Sequence, residues 1–205
     1  MAFRRSCTCV FALSVCAGIA AAQQVPLVQP GAPGKPNTVI TNPVGTAVHD
    51  PTAADFGFMQ GMVVHHSQAV EMVGLMNGRT TNPQMLELGK RISISQGDEI
   101  AFMKRWLSFF GKPVTEDDMA DMDTAVMPGM LTPRQMLALR NARGAEFDRL
   151  FLTGMIQHHT GALDMVKDLY DTKDAGREPQ LFDFTADVDV TQRAEIETMK
   201  SMLAK

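Results

Sequence analysis

The sequence predicts an all-α protein, a four-helix bundle assembled from two repeated helical hairpins. The chain repeats itself: Phe58, Gly61, Met62, His65, His66, Ala69 and Met72 recur 93 positions later as Phe151, Gly154, Met155, His158, His159, Ala162 and Met165. Asp55 and Asp148 keep the same offset. Helix start and stop signals bracket both copies, and no stretch shows the sustained period-two alternation of a strand.

The elements follow in order. Arg4 and Arg5 precede an apolar run, Cys9 to Ala22, that is too short for a stable membrane span, and Ala20-Ala21-Ala22 supplies small residues for cleavage before Gln23. Residues 1–22 are therefore expected to be a secretory signal, placing the protein in a periplasm or outside the cell. Leu13-Ser14-Val15-Cys16 resembles a lipoprotein box, but Val15 is larger than such a site accepts. All three cysteines, Cys7, Cys9 and Cys16, lie in this segment, so the processed chain would hold no thiol and no disulfide. Cleavage would also move the net charge from -4 to -6. Residues 23–48, with Pro26, Pro30, Pro33, Pro36 and Pro43, read as an extended tether that cannot bury enough surface to order itself.

The domain is expected over 49–205. Repeat one (50–111) opens at Asp50-Pro51, an N-cap followed by a proline at the first helical position, and its first helix should reach about Asn77 before Gly78. Asn82-Pro83 repeats that signal and opens a helix to Phe110, which stops at Gly111. A methionine-rich loop (112–131) follows. Repeat two (132–205) begins with the capping box Thr132-Pro133-Arg134-Gln135 and a short helix to about Arg143. A long helix from Ala145 to about Tyr170 and a last one from near Pro179 complete it. The second helices match as well: Ser95-Gln96, Glu99-Ile100, Met103-Lys104 and Leu107 recur 96 positions later as Thr191-Gln192, Glu195-Ile196, Met199-Lys200 and Leu203.

The repeated helix carries the chemistry. At about 100° per residue, Phe58, Gly61, Met62, Ala69, Met72 and Met76 all fall within about 60° of His65, one apolar stripe with His65 at its centre. His66 lies about 100° away, at the edge. The second copy places Met155, Ala162 and Met165 around His158. His65 and His158 should point into the bundle, with His66 and His159 at a helix–helix seam. Methionine stripes are usually plain core, because the thioether fills irregular gaps. Here the stripe surrounds a histidine doublet twice, and the doublets account for four of the five histidines. Thioether and imidazole donors suit Cu(I) and Ag(I), and the imidazoles would also accept Cu(II), Zn or Ni. The candidate ligands are His65, His66, His158, His159, Met62, Met72, Met155 and Met165. Met103 and Met199 could complete the shell from the second helices, and Glu99 and Glu195 could orient a ligating histidine. Met119, Met122, Met127 and Met130 form a loop cluster readable either as a capture site for soft ions or as a lid. Gly61 and Gly154 suggest close helix approach or room for an ion. His49 stands alone and reads as incidental.

These residues also carry a resemblance. FMQGMVVHHSQAVEM and FDRLFLTGMIQHHTGALDM, with MPGMLTPRQM ahead of the second, resemble the family catalogued as domain of unknown function 305, over roughly Asp50 to Lys205. The resemblance implies a ferritin-like four-helix fold, export in bacteria and, as in some members, copper binding and copper tolerance. It places the binding positions at the two histidine doublets with Met62, Met72, Met155 and Met165. The long His- and Met-rich tail of some copper-handling relatives is absent, which points away from high-capacity storage.

The expected function is an exported copper-binding protein for sequestration, tolerance or transfer, without catalysis. Its partners would be metal ions and other copper-handling proteins, with self-association left open. The scattered basic residues exclude a nucleic-acid interface, and no span remains after signal removal. A di-iron oxidase is the alternative, but Glu99 and Glu195 are followed three residues on by Phe102 and Thr198, not histidine. A metal-free partner-binding bundle is the third reading. Hydrolase chemistry lacks a nucleophile, since no processed cysteine and no serine elbow are present.

Overall fold

The structure is a computed structural model that describes residues 27–29, 38–40, 49–114 and 127–204. The expected signal segment and its cysteines, most of the tether, and Met119 and Met122 lie outside the described residues. The chain divides into a unit over Met1–Thr46 and a unit over Ala47–Lys205. In the first, β1 (Leu27–Gln29) and β2 (Thr38–Ile40) pair antiparallel, with Val28 opposite Val39. No strand was expected in this proline-rich stretch. The ribbon is three residues long on each side, too short to give a readable alternation.

The second unit is all-α, with α1 (Ala53–Gly74), α2 (Pro83–Phe109), α3 (Pro133–Asn141), α4 (Gly144–Asp171) and α5 (Pro179–Leu203). No helix among the described residues is long and apolar enough to cross a membrane. The first helix starts at a different cap from the one the sequence suggested. Thr52, not Asp50, is the N-cap: its hydroxyl accepts from the Asp55 amide at 3.2 Å while the Asp55 carboxylate accepts from the Thr52 amide at 2.7 Å. This reciprocal box satisfies two orphan donors, and Asp50 has no comparable partner three residues on. The helix also stops earlier, at Gly74. Arg79 folds back to donate to the Leu75 carbonyl at 3.0 Å, and Gly78 takes its positive φ in the turn that follows. Asn82 and Thr132 cap α2 and α3 as expected.

The pairs α1–α2 and α4–α5 are the two hairpins, and α1 packs on α4 between them. Two latches tie the hairpins end to end. Asp55, buried at the start of α1, accepts from the Gly176 amide at 2.7 Å in the α4–α5 turn. Its repeat partner Asp148 accepts from the Asn82 side chain at 3.3 Å in the α1–α2 turn. The core falls into two apolar clusters. One holds Met62, Met103, Trp106 and Leu107 with Ala162, Leu181 and Val188, and Met165 packs against it. The other holds Met72, Met85, Ile92, Phe147, Phe151, Met155 and Met199. Along both α1 and α4 the histidine doublet lies where one cluster gives way to the other.

Candidate metal centre

All four doublet histidines are buried, at 0–1% exposure. The crossing of α1 and α4 brings the His65 and His158 rings to 3.8 Å between centroids, tilted by 37°. His158 Nε2 donates to the His65 backbone carbonyl at 2.7 Å, and His65 Nε2 donates to the Pro128 carbonyl at 3.0 Å. A carbonyl can only accept, so both rings carry their proton on Nε2. The outer pair uses carboxylates instead. His66 Nε2 donates to Glu99 at 2.7 Å across the α1–α2 seam, and His159 Nε2 to Glu195 at 2.6 Å across the α4–α5 seam. The expected inward and seam positions are thus the ones observed, and the seam lies within each hairpin.

Every Nε2 is engaged and every Nδ1 is orphaned. The Nδ1 atoms of His65, His66, His158 and His159 are buried without a hydrogen-bond partner among the described residues. An unsatisfied buried polar atom costs roughly 1–3 kcal/mol, so four in one layer is a large and repeated expense for a core to carry. An imidazole held through one nitrogen by a carboxylate or carbonyl, with the other lone pair free, is the arrangement in which histidine ligates metals. The two central rings are also kept neutral. Burial first, then repulsion from His66, lowers His65 to about 3. Burial and then the charge of His65 push His158 well below its usual value. Neutral imidazole is the ligating form.

The methionines divide between the ends of this layer. Met62 and Met103 are fully buried on one side, with Met165 half-buried beside them, and Met72, Met155 and Met199 are fully buried on the other. Gly154 resolves toward close packing, because a Cβ there would come within 2.9 Å of Leu131 and 3.3 Å of the Met72 methyl. Gly61 is buried within α1. Met127 and Met130 are half-buried in the segment crossing His65. Among the described residues no three His, Cys, Asp or Glu side chains converge as a ligand cage. A hard-ion site of the di-iron type therefore has no donor set among them.

Two further buried polar residues lie near the glutamates in sequence. Gln96, one turn before Glu99, and its repeat partner Gln192 are each 1% exposed and leave Oε1 unpartnered. Their recurrence in register was visible in the sequence, but a glutamine gives no burial signal by type.

A model of the family described as domain of unknown function (DUF305) matches residues 55–203. The chain belongs to this family. Solved structures agree with the assignment. A DUF305 fragment from Deinococcus radiodurans is 29% identical with a TM-score of 0.66, covering 76% of this chain and 99% of that one. A DUF305 protein from Streptomyces coelicolor, named as a candidate secreted protein, is 31% identical with a TM-score of 0.62, covering 74% and 92%. CopM in its Cu(I)-bound form is 29% identical with a TM-score of 0.56, covering 72% and 94%. CopM also has structures in Cu(II)-bound, Ag-bound and apo forms. No curated protein matches the chain.

Proposed function

We propose that this DUF305 protein binds copper, with Cu(I) preferred and Ag(I) and Cu(II) accepted, in the histidine layer between its two hairpins. The observation that carries the reading is the set of four buried Nδ1 atoms, each on a ring whose Nε2 is already engaged. His65, His66, His158 and His159 are the proposed imidazole ligands. Met62, Met72, Met155 and Met165, with Met103 and Met199, are the proposed thioethers. The Cu- and Ag-bound structures of the similar CopM support a soft cation as cargo. With no enzyme constellation in the sequence, the role is sequestration or transfer to other copper-handling proteins, outside the cytoplasm if residues 1–22 act as a signal.

An anaerobic Cu(I) titration of residues 23–205 against a competing chelator tests this, run beside a variant with all four histidines changed to Ala. Tight stoichiometric binding that disappears in the variant is expected. Equal binding in both would move the site to the loop methionines. Absence of binding by Cu(I), Cu(II) and Zn would make the layer core architecture and end the metal reading.

A further inference from the structure

His65 and His158 occupy the same repeat position, yet their Nε2 atoms find different acceptors. His158 uses the backbone of α1, while His65 uses Pro128, on a strap over residues 127–131 that crosses it. Two residues seat this strap, and they too share one repeat position, 93 apart: Gln68 and Gly161. The Gln68 side chain grips Leu131 by both ends of its amide, accepting from the Leu131 N–H at 2.7 Å and donating to the Leu131 carbonyl at 3.1 Å. On the facing helix, Gly161 provides the space. A Cβ there would lie 2.1 Å from the Pro128 carbonyl oxygen and 2.4 Å from the Gly129 Cα, and neither backbone atom can swing aside. Gly129 meets it with φ of +76°, where its own Cβ would strike the Gln157 carbonyl at 2.6 Å. A glutamine at 161 would fill the seat, and a glycine at 68 would release the strap.

We infer that Gln68 and Gly161 are positioning residues that seat the 127–131 strap on His65, fix its ring as the Nε2–H tautomer, and thereby present Nδ1 as its donor atom. The fixed tautomer belongs to the metal-free protein; only the last clause rests on the proposed copper site. Among the described residues no such strap crosses His158, whose Nε2 bonds to the backbone of α1, so the two halves are chemically unequal at their centre.

The test is imidazole ¹⁵N–¹H correlation spectroscopy on the metal-free full domain, with Ag(I) affinity measured alongside. In the parent, His65 should show a single Nε2–H tautomer. Gly161→Ala should shift His65 to a tautomer mixture and leave His158 unchanged, while helicity holds because Ala favours a helix over Gly. Gln68→Ala, acting from the other helix, should produce the same change at His65. Both variants should lose roughly 10- to 100-fold in Ag(I) affinity, the usual effect of removing a ligand's orienting partner. An unmoved His65 tautomer in either variant, or Nδ1 protonated in the parent, overturns the inference. A shifted tautomer with unchanged Ag(I) affinity overturns the role toward the metal. If the parent takes up no Ag(I), the copper reading fails while the tautomer still decides what the strap does.

Discussion

Acid should unfold the metal-free domain through its central histidines. In the folded chain His65 stays neutral down to about 3, and His158 is depressed in the same direction. In the unfolded chain both titrate near the ordinary value of about 6.5. Below that value the unfolded state binds more protons than the native one, so stability falls as pH falls. The native state keeps its full stability above about 6.5, and the loss accumulates as pH drops toward about 3. His65 contributes a slope of about 1.4 kcal/mol per pH unit, and His158 acts in the same direction. Two units of acidification remove about 2.7 kcal/mol through His65, a large fraction of the stability of a small domain, and His158 adds to the loss. Urea unfolding of the metal-free protein at pH 7.5, 6.5, 5.5 and 4.5 measures this directly. A His65→Gln/His158→Gln variant retains an amide donor at each site without a titrating ring, and it should show a much flatter profile. A parent whose stability is constant between pH 6.5 and 4.5 would refute the argument. So would a variant with the parent's slope, since the acid lability would then lie outside His65 and His158.

Three other predictions address the carboxylates, the methionines and the hairpin latches. Glu99→Gln and Glu195→Gln weaken the charge-assisted bonds to His66 and His159, which should lower Cu(I) affinity roughly 10- to 100-fold in competition titrations; unchanged affinity would remove the outer histidines from the site. Met62→Leu with Met155→Leu nearly conserves volume, so thermal stability should change by less than about 1.5 kcal/mol per site while Cu(I) affinity drops and Zn affinity does not. Equal Cu(I) affinity would make those methionines packing alone. Asp55→Ala removes the capping box and the acceptor for the Gly176 amide, and it should cost about 2–3 kcal/mol in urea unfolding. Asp148→Ala should cost less, because Asp148 makes one 3.3 Å bond and leaves Oδ1 unpartnered; the reverse order would refute the latch reading.

Much of the architecture was legible because it is periodic. The offset of 93 in the first helices and 96 in the second identified two hairpins, and the helical angle alone separated His65 from His66. Caps built on proline, at Asn82-Pro83 and Thr132-Pro133, were read correctly. Asp50-Pro51 looked equally good, and it lost to Thr52 because a box needs a side-chain acceptor three residues on, which Thr52 has in Asp55 and Asp50, followed there by Ala53, lacks. What periodicity could not supply is the direction of each hydrogen bond. That every Nε2 is taken and every Nδ1 left free depends on the carbonyls of Pro128 and His65 and on two glutamates from other helices. The two glutamates recur within the repeat and were expected to orient a histidine, whereas neither carbonyl is encoded by spacing. The burial of Gln96 and Gln192 was hidden for a related reason, since glutamine is common on both surfaces and seams.

The repeat is most informative where it breaks. Duplication of a hairpin produces two equal histidine layers facing each other, and a symmetric core would give His65 and His158 the same acceptor. The structure departs from that symmetry: the rings lie 3.8 Å apart, His158 bonds to the His65 carbonyl, and His65 bonds to the Pro128 carbonyl instead. The connection between the hairpins occurs once in the chain, so it can supply that partner to one half only. Its approach requires a vacant seat on α4 and a grip on α1, and the divergence of a single repeat position into Gly161 and Gln68 provides both. The same loop carries Met127 and Met130 to the edge of the layer. The asymmetry leaves the His65 ring held by the connection between the hairpins and the His158 ring held by the backbone of α1.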